Sequence, residues 1–175
     1  MRNINKFKEM IHYICHQCKN PQMLGAVKLN KVAWFSDVIS FQETGNAISS
    51  ARYVKQKFGP VPKQILPVLR ELQDEGRLRI DEVEYYGNTK RQYVSLSDPD
   101  VSIFSETELK TLDSVIDAVC NGHTASTISD LTHDDIWKIA EIGEEIPLHA
   151  ILASEFSEVT DEDIERVHLR MKKAA

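Results

Sequence analysis

The first forty residues have the hydrophobic periodicity of two helices. Apolar residues recur there at alternating steps of three and four: Ile4, Phe7, Ile11, Ile14 and Cys18. This spacing places them on one face of an amphipathic helix, which Asn20-Pro21 ends. Residues 24–41 are apolar almost all round, and a helix with so little polar surface belongs in the middle of a fold. We therefore expect an N-terminal helix packed on a domain whose central helix is the second one.

The next segment combines turn residues with a third helix and a hairpin. Residues 47–58 fit an extended segment or a short helix, and the pattern leaves both open. Because proline suits the first turn of a helix, Gly59-Pro60-Val61-Pro62 predicts a third helix over residues 60–75. Two Val- and Tyr-rich runs within residues 78–96 surround Gly87-Asn88-Thr89 and predict a β-hairpin.

The second half begins with a helix-start motif. Ser105-Glu-Thr-Glu108 is a capping box, and it predicts a fourth helix that ends at Asn121-Gly122. Shorter helices are expected over residues 124–131 and 134–141, and a polar helix or frayed tail over residues 161–173.

Together these elements predict a mainly α fold. We expect a compact helical domain with one β-hairpin, a winged-helix-like element, in its first half. The chain divides into an N-terminal helix at residues 1–23, a domain at residues 24–152 and a polar C-terminal helix or tail at residues 153–175.

Composition favours a soluble protein of the cytoplasm. The 175 residues are 42% hydrophobic and 27% charged, which is the balance of an ordinary globular chain. Lys6, Lys8 and Glu9 stand where a secretory signal needs apolar residues, and no apolar run approaches the roughly 18 residues of a membrane span. Three cysteines, an odd number, fit reduced thiols. We expect a cytoplasmic protein without membrane contact.

Charge is distributed unevenly along the chain. The formal net charge is −6, but the part up to Arg91 carries 15 of the 21 basic residues and nine acidic ones. Its net charge is therefore +6, against −12 for the rest. This asymmetry fits two surfaces with different partners, or one dipolar molecule. Drift of surface charge without selection would give the same pattern.

Cysteine and histidine spacing raises the question of a metal site. Four residues resemble a zinc ligand set and two histidines add to it: Cys15, Cys18, Cys120 and His123, with His12 and His16. At about 100° per residue, the first two cysteines fall on the apolar stripe of the first helix, whereas His12 and His16 turn away. We therefore expect Cys15 and Cys18 to be buried, unbridged and free of metal.

No catalytic constellation stands out in the sequence. His133 beside Asp134 and Asp135 could form an acid–base pair, but this segment more economically starts a helix, with Thr132 as its cap. Motifs for phosphate, dinucleotide, zinc-protease and serine-hydrolase sites are missing from the sequence. We expect a protein that binds rather than catalyses, without cofactor or metal. An enzyme ranks third, behind protein binding and DNA binding.

A DNA-binding regulator is the alternative function. The expected helix over residues 60–75, followed by a hairpin with Lys90 and Arg91 at its turn, resembles a winged helix. DNA affinity depends on Lys and Arg that reach phosphates, yet this helix offers only Lys63 and Arg70 against three acidic residues. It would make a poor recognition helix, so we do not expect nucleic acid as the partner.

Five motifs occur in a characteristic order. They are Lys28-Leu-Asn-Lys31 with Trp34-Phe-Ser-Asp37, Tyr53 through Phe58-Gly-Pro-Val-Pro62, Phe104-Ser-Glu-Thr-Glu-Leu109, residues 125–137 with Thr132-His133 and Trp137, and Gly143-Glu-Glu-Ile-Pro147. In this order they resemble the Panacea antitoxin domain, whose family includes SocA-like and GepA-like phage-associated proteins. The resemblance covers about residues 24–152. Trp34 departs from it, because tyrosine is more usual at that position, but the change keeps an aromatic ring.

The resemblance implies an antitoxin that neutralises, by direct binding, the toxin encoded beside it. SocA-like relatives also hand their toxin to a AAA+ protease as adaptors, and no motif of this sequence marks that step. Aromatic anchors dominate interface energies. The residues that we expect at the toxin interface or in the fold signature are Trp34, Tyr53, Phe58, Gly59, Pro60, His133 and Trp137. A purely structural role in the core is the competing interpretation.

Overall fold

The computed structural model describes residues 2–133 and 135–150, and these residues are mainly helical, as expected. The helices are α1 (Arg2–Gln17), α2 (Gly25–Thr44), α3 (Ile65–Asp74), α4 (Glu106–Gly122), α5 (Ala125–Asp130) and α6 (Asp135–Ile139), with short 3-10 turns at Pro21–Met23 and Val101–Ile103. The strands are β1 (Tyr53–Gln56), β2 (Gly59–Pro62), β3 (Leu78–Tyr85), β4 (Asn88–Ser95) and β5 (Glu145–Ile146). The polar segment expected over residues 161–173 lies outside the described residues.

The central helix is α2, which contacts α1, α4, α5, β2 and β4. Its residues Val32 and Ala33 are fully buried. On α1, Met10, Ile11 and Ile14 are also fully buried and belong to the same hydrophobic core. Because burial of a large apolar side chain stabilises a fold by about 1.5–3 kcal/mol, α1 is an integral part of this core. Within the described residues, no helix combines the length and the apolar character needed to cross a membrane.

Two local predictions are confirmed. Ser105 Oγ accepts the N–H of Glu108 at 3.2 Å, and the Glu108 carboxylate accepts the N–H of Ser105 at 2.8 Å. The capping box therefore begins α4 as its sequence indicated. The expected hairpin is formed by β3 and β4, and its turn holds Tyr86 and Gly87 at positive φ, as a type I′ turn requires.

The expectation of a single hairpin is wrong, because β1, β2 and β5 form a second antiparallel sheet in the order β2–β1–β5. The segment Gly59–Pro62, expected to open the third helix, is a strand, and the helix begins only at Ile65. Proline's fixed φ suits the first turn of a helix and also an extended strand. Since β2 lies at the sheet edge, its prolines are tolerated there. Pairing with β1, a tertiary feature, decides between the two structures.

Candidate functional site

The seven residues singled out from the sequence surround the three-stranded sheet. We call Trp34, Tyr53, Phe58, Gly59, Pro60, His133 and Trp137 the signature cluster. Helix α2 supplies the first of them, β1, β2 and their turn supply four, and the segment around α6 supplies the last two. Their exposure differs, because four are buried, the two from the α6 segment are half-buried and Phe58 is exposed.

Trp34 and Tyr53 form the buried floor of the cluster. Their rings meet edge to face at 4.9 Å and 75°, and both side chains belong to a small hydrophobic cluster beneath the sheet. The Tyr53 hydroxyl donates to Asp37 Oδ2 at 2.7 Å, and the same oxygen accepts from Ser49 Oγ at 2.5 Å. Burial raises the pKa of Asp37, although these hydrogen bonds oppose the shift. Both aromatic side chains are therefore buried beneath the sheet.

Gly59 allows a close approach between the β1–β2 turn and α2. Its φ is +104°, and a Cβ atom at this position would lie 1.8 Å from Lys31 Nζ and 2.3 Å from Thr132 Oγ1. The buried Lys31 ammonium donates to Thr132 Oγ1 at 2.6 Å. Burial lowers the pKa of Lys31 to about 7. Ser129 Oγ donates to the Phe58 carbonyl at 3.1 Å, so this turn packs closely against α2 and is hydrogen-bonded to α5.

Trp137 attaches the α6 segment to β1. Its ring stacks on His133 with centroids 3.8 Å apart, and its Nε1 donates to the Gln56 carbonyl at 3.2 Å. The Lys55 ammonium lies 4.1 Å from the centroid of the same ring and donates to the Ala140 carbonyl at 2.8 Å. A cation in this position over an indole ring is attracted by the ring quadrupole. The His133–Trp137 pair is thus a fixed part of the surface beside β1.

Four large apolar side chains are exposed around this fixed framework. We call Phe58, Leu131, Ile139 and Ile142 the apolar rim; they are 54%, 59%, 82% and 65% exposed. Each lies in or next to an anchored segment: Phe58 in the β1–β2 turn, Leu131 beside Thr132, and Ile139 between two carbonyls that accept from Lys55 Nζ. Ile142 precedes Gly143, whose N–H donates to the Lys55 carbonyl. A backbone tied in this way presents the rim in one arrangement.

Sequence reasoning found Phe58 but missed the other three rim residues. Short helices such as α6 leave apolar residues outside the core, and their exposure depends on which neighbours pack over them. The run Trp137-Lys-Ile-Ala-Glu-Ile142 carries three large apolar residues at the end of a helix of only five residues and in the turn that follows it, and this excess was the available signal.

Comparison with known proteins places these features in a family. Residues 29–138 match the family model described as "Antitoxin SocA-like, Panacea domain". The chain belongs to this family. The matched part of the Panacea domain includes the whole signature cluster, whereas α1 and β5 lie outside it. Neither the curated proteins nor the solved structures include a significant match.

The cysteines of this Panacea protein lie in its core. Cys15, Cys18 and Cys120 are buried, and the Sγ atoms of the last two are 3.5 Å apart. The predicted burial of the first two, without a bridge, is confirmed. Across residues 2–133 and 135–150, no group of three or more His, Cys, Asp or Glu side chains is arranged to hold a metal ion.

His12 does not turn away from the core, contrary to the helical projection. It is fully buried. Its Nδ1 accepts from the Arg77 guanidinium at 2.8 Å, so the proton lies on Nε2, which is 3.0 Å from Ser95 Oγ. Burial and the Arg77 charge lower the pKa of His12. Arg77 in turn pairs with Glu9 at 2.6 Å. These polar partners from other elements, which a single-helix projection cannot contain, make the burial favourable.

Proposed function

We propose that this chain is an antitoxin that neutralises a protein toxin by binding it directly, with the apolar rim as the contact surface. Membership of the SocA-like Panacea family supports the toxin–antitoxin role. The observation that carries the choice of surface is the exposure of four large apolar side chains beside the signature cluster. Large exposed apolar side chains are candidates for interaction sites, and these four lie in segments bound to β1 or to the turn that follows it.

The framework behind the rim supports tight binding. Association costs less free energy when the contacting segments are already ordered. The Phe58 turn is hydrogen-bonded to α5 and packs against Lys31 of α2. The α6 segment is bound to β1 through Trp137 and Lys55. Trp34 and Tyr53 act beneath the surface by holding β1 in place. The rim, which includes Phe58, thus supplies the contacts, and the other members of the signature cluster supply the support.

The charges around the rim indicate the kind of toxin surface that would fit. Two acidic residues, Asp130 and Glu141, and two basic residues, Lys57 and Lys138, are exposed and adjacent to rim residues in the chain. Complementary potentials steer association and select partners. A toxin with an apolar patch bordered by charges of both signs would match this surface.

Neutralisation by binding requires no catalytic group in the antitoxin, so we propose a stoichiometric inhibitor rather than an enzyme.

Delivery of the bound toxin to a AAA+ protease is a further step that the resemblance to SocA-like proteins suggests. It predicts a shorter toxin half-life when the antitoxin is present. A toxin that is inhibited but not degraded would leave simple sequestration as the mechanism.

The DNA-binding alternative rests on α3 and the β3–β4 hairpin, and the ion pairs there favour a protein partner instead. Arg79 pairs with Asp81, and Arg91 lies 3.5 Å from Glu82. On α3, Glu71 holds the Lys8 ammonium at 2.7 Å. Cations that already have acidic partners gain less from phosphates.

The proposal is tested by co-expression and co-purification with the product of the neighbouring gene. The wild-type chain should rescue growth and form a stable complex, whereas Leu131→Asp and Ile139→Asp should abolish both. Leu66→Asp on α3 is the matched control, because Leu66 is as exposed as Phe58, at 54%. Thermal melts establish that each variant folds. Full rescue by both rim variants would contradict the surface, and a mobility shift of promoter DNA without any protein complex would favour the regulator.

A further inference from the structure

Two thiols from distant parts of the chain meet at Cys18 and Cys120. Their Sγ atoms lie 3.5 Å apart although 102 positions separate the two residues. Cys18 directly follows α1, and Cys120 lies in the last turn of α4. A disulfide bond is about 2.05 Å long, so the sulfurs need to approach each other by only about 1.5 Å to form one. Neither cysteine belongs to the signature cluster or the apolar rim, so the pair is independent of the proposed toxin surface.

Both cysteines lie where a helix ends. The residues that follow them, at positions 19–20 and 121–122, are exposed. Helix ends open locally at a small free-energy cost compared with global unfolding. The two sulfurs can therefore move closer together, and become accessible to a small molecule, while the core formed by α1 and α2 stays folded.

The surroundings of the pair favour the thiolate form of Cys18. A hydrogen bond with the Cys120 thiol lowers the pKa of Cys18, and the charges of Lys28 and Lys90 act in the same direction, whereas burial opposes them. The same hydrogen bond, together with burial, raises the pKa of Cys120. Because a thiolate and not a thiol attacks an oxidant, Cys18 is suited to attack and Cys120 to keep its proton until the second step.

A cavity of about 700 Å³ reaches the neighbourhood of the pair. Lys28 and Lys90 line it. The Lys28 ammonium also donates to the Cys120 carbonyl at 3.0 Å, so one side chain connects the cavity with the cysteines. Hydrogen peroxide is small and uncharged and can enter such a cavity.

We propose that Cys18 and Cys120 are a modification site, at which hydrogen peroxide or another small hydroperoxide oxidises the two thiols to a disulfide that joins the end of α1 to α4. The reduced pair is the form that the structure describes. A reducing thiol would restore it, because a disulfide is opened by thiolate attack.

The reaction has two balanced steps. The Cys18 thiolate attacks one oxygen of hydrogen peroxide, the O–O bond breaks, and the hydroxide that leaves takes up a proton to become water. Cys18 is then a sulfenic acid. The Cys120 sulfur attacks the Cys18 sulfur, the S–O bond breaks, and a second water leaves with the Cys120 proton. The two thiols together lose two electrons, and one peroxide is reduced to two waters.

The test treats the folded, fully reduced chain with hydrogen peroxide and maps its disulfides by mass spectrometry of non-reduced peptides. We expect an intact mass that is lower by two hydrogen atoms, a linked peptide that contains Cys18 and Cys120, and one alkylatable thiol left of three. Because the disulfide closes a long loop, the melting temperature of the oxidised chain should rise by about 5 °C or more. Dithiothreitol should reverse both changes.

Cys15→Ala is the matched control. Cys15 is buried near the same end of α1, and burial raises the pKa of its thiol, so this variant should form the disulfide as the wild-type chain does. Cys18→Ala should form none. Cys120→Ala should also form none and should instead retain a sulfenic acid on Cys18, which dimedone labels. Thermal melts of the reduced variants establish that each one folds.

Three outcomes would overturn the proposal. They are the absence of a disulfide in the peroxide-treated wild-type chain, a disulfide that forms only when urea has unfolded the chain, and a disulfide that involves Cys15 or joins two chains. Disulfide formation that persists in folded Cys18→Ala would contradict it equally.

Discussion

The Lys31 ammonium occupies the space that a side chain at Gly59 would need, since a Cβ atom there would lie 1.8 Å from Nζ. Gly59→Ala should therefore displace a buried cation, break its hydrogen bond to Thr132 and strain a backbone at positive φ. We expect a loss of unfolding free energy on the order of 3 kcal/mol, measured by urea denaturation.

Gly76→Ala is a control that measures the backbone strain of a positive φ without a close approach like that of Lys31 to Gly59. Gly76 also has positive φ, at +68°, but no atom lies within 4 Å of a Cβ built on it. This control should cost only about 1–2 kcal/mol. Equal losses in the two variants would show that the Lys31 contact does not matter.

The buried Lys31 should make stability depend on pH. Its pKa is lowered from 10.5 to about 7 in the folded chain, so the unfolded state binds more protons between these values. The unfolding free energy should therefore rise with pH from about 7 to about 10.5 and stay level below about 7, as far as this group contributes. In Lys31→Met this rise should be absent. In the wild-type chain, the unfolding free energy at neutral pH should lie below its value at high pH by on the order of a few kcal/mol.

Urea denaturation across this pH range measures the effect. Lys110→Met, at an exposed position on α4, is the control and should keep the wild-type pH dependence. A Lys31→Met variant with an unchanged pH profile would mean that Lys31 is protonated in the fold at all these pH values.

Tyr53→Phe tests whether Tyr53 stabilises the sheet or contacts the toxin. The change removes the hydroxyl that donates to Asp37 and keeps the ring against Trp34. We expect a loss of about 1–2 kcal/mol in unfolding free energy, with unchanged affinity for the toxin once the variant is folded. By contrast, Phe58→Ala should leave stability within about 0.5 kcal/mol and weaken toxin binding by on the order of 2 kcal/mol. Loss of toxin affinity in folded Tyr53→Phe would place Tyr53 at the interface.

Helix α1 should be required for folding although it lies outside the family match. Ile11 is fully buried among core residues from other helices, so Ile11→Ala should cost about 2–5 kcal/mol in unfolding free energy. A chain that starts at residue 24 should show no cooperative thermal transition. A cooperative melt of that shortened chain near the wild-type temperature would show that the Panacea domain folds without α1.

Local signals account for what the sequence predicted well. The Ser105–Glu108 capping box and the Tyr86-Gly87 hairpin turn act over a few residues, and both are formed as expected. The prediction that Gly59–Pro62 opens a helix was wrong. Proline allows both a helix start and an extended strand, and the pairing with β1 decides between them. The same limit applies to the site. Its aromatic residues could be selected from the sequence, but whether each side chain is buried beneath the sheet or exposed depends on the packing of α2 and α6.

β1 has partners from very different parts of the chain. Tyr53 pairs with Pro62 on one side and with Ile146 on the other, so the sheet closes only after the ribosome has added residue 146. A nascent chain that has exposed β1 and β2 alone still lacks the strand that fixes the segment carrying Ile139 and Ile142. The support of that segment is therefore complete only once β5 has been made, and a copy that stops before residue 146 lacks it.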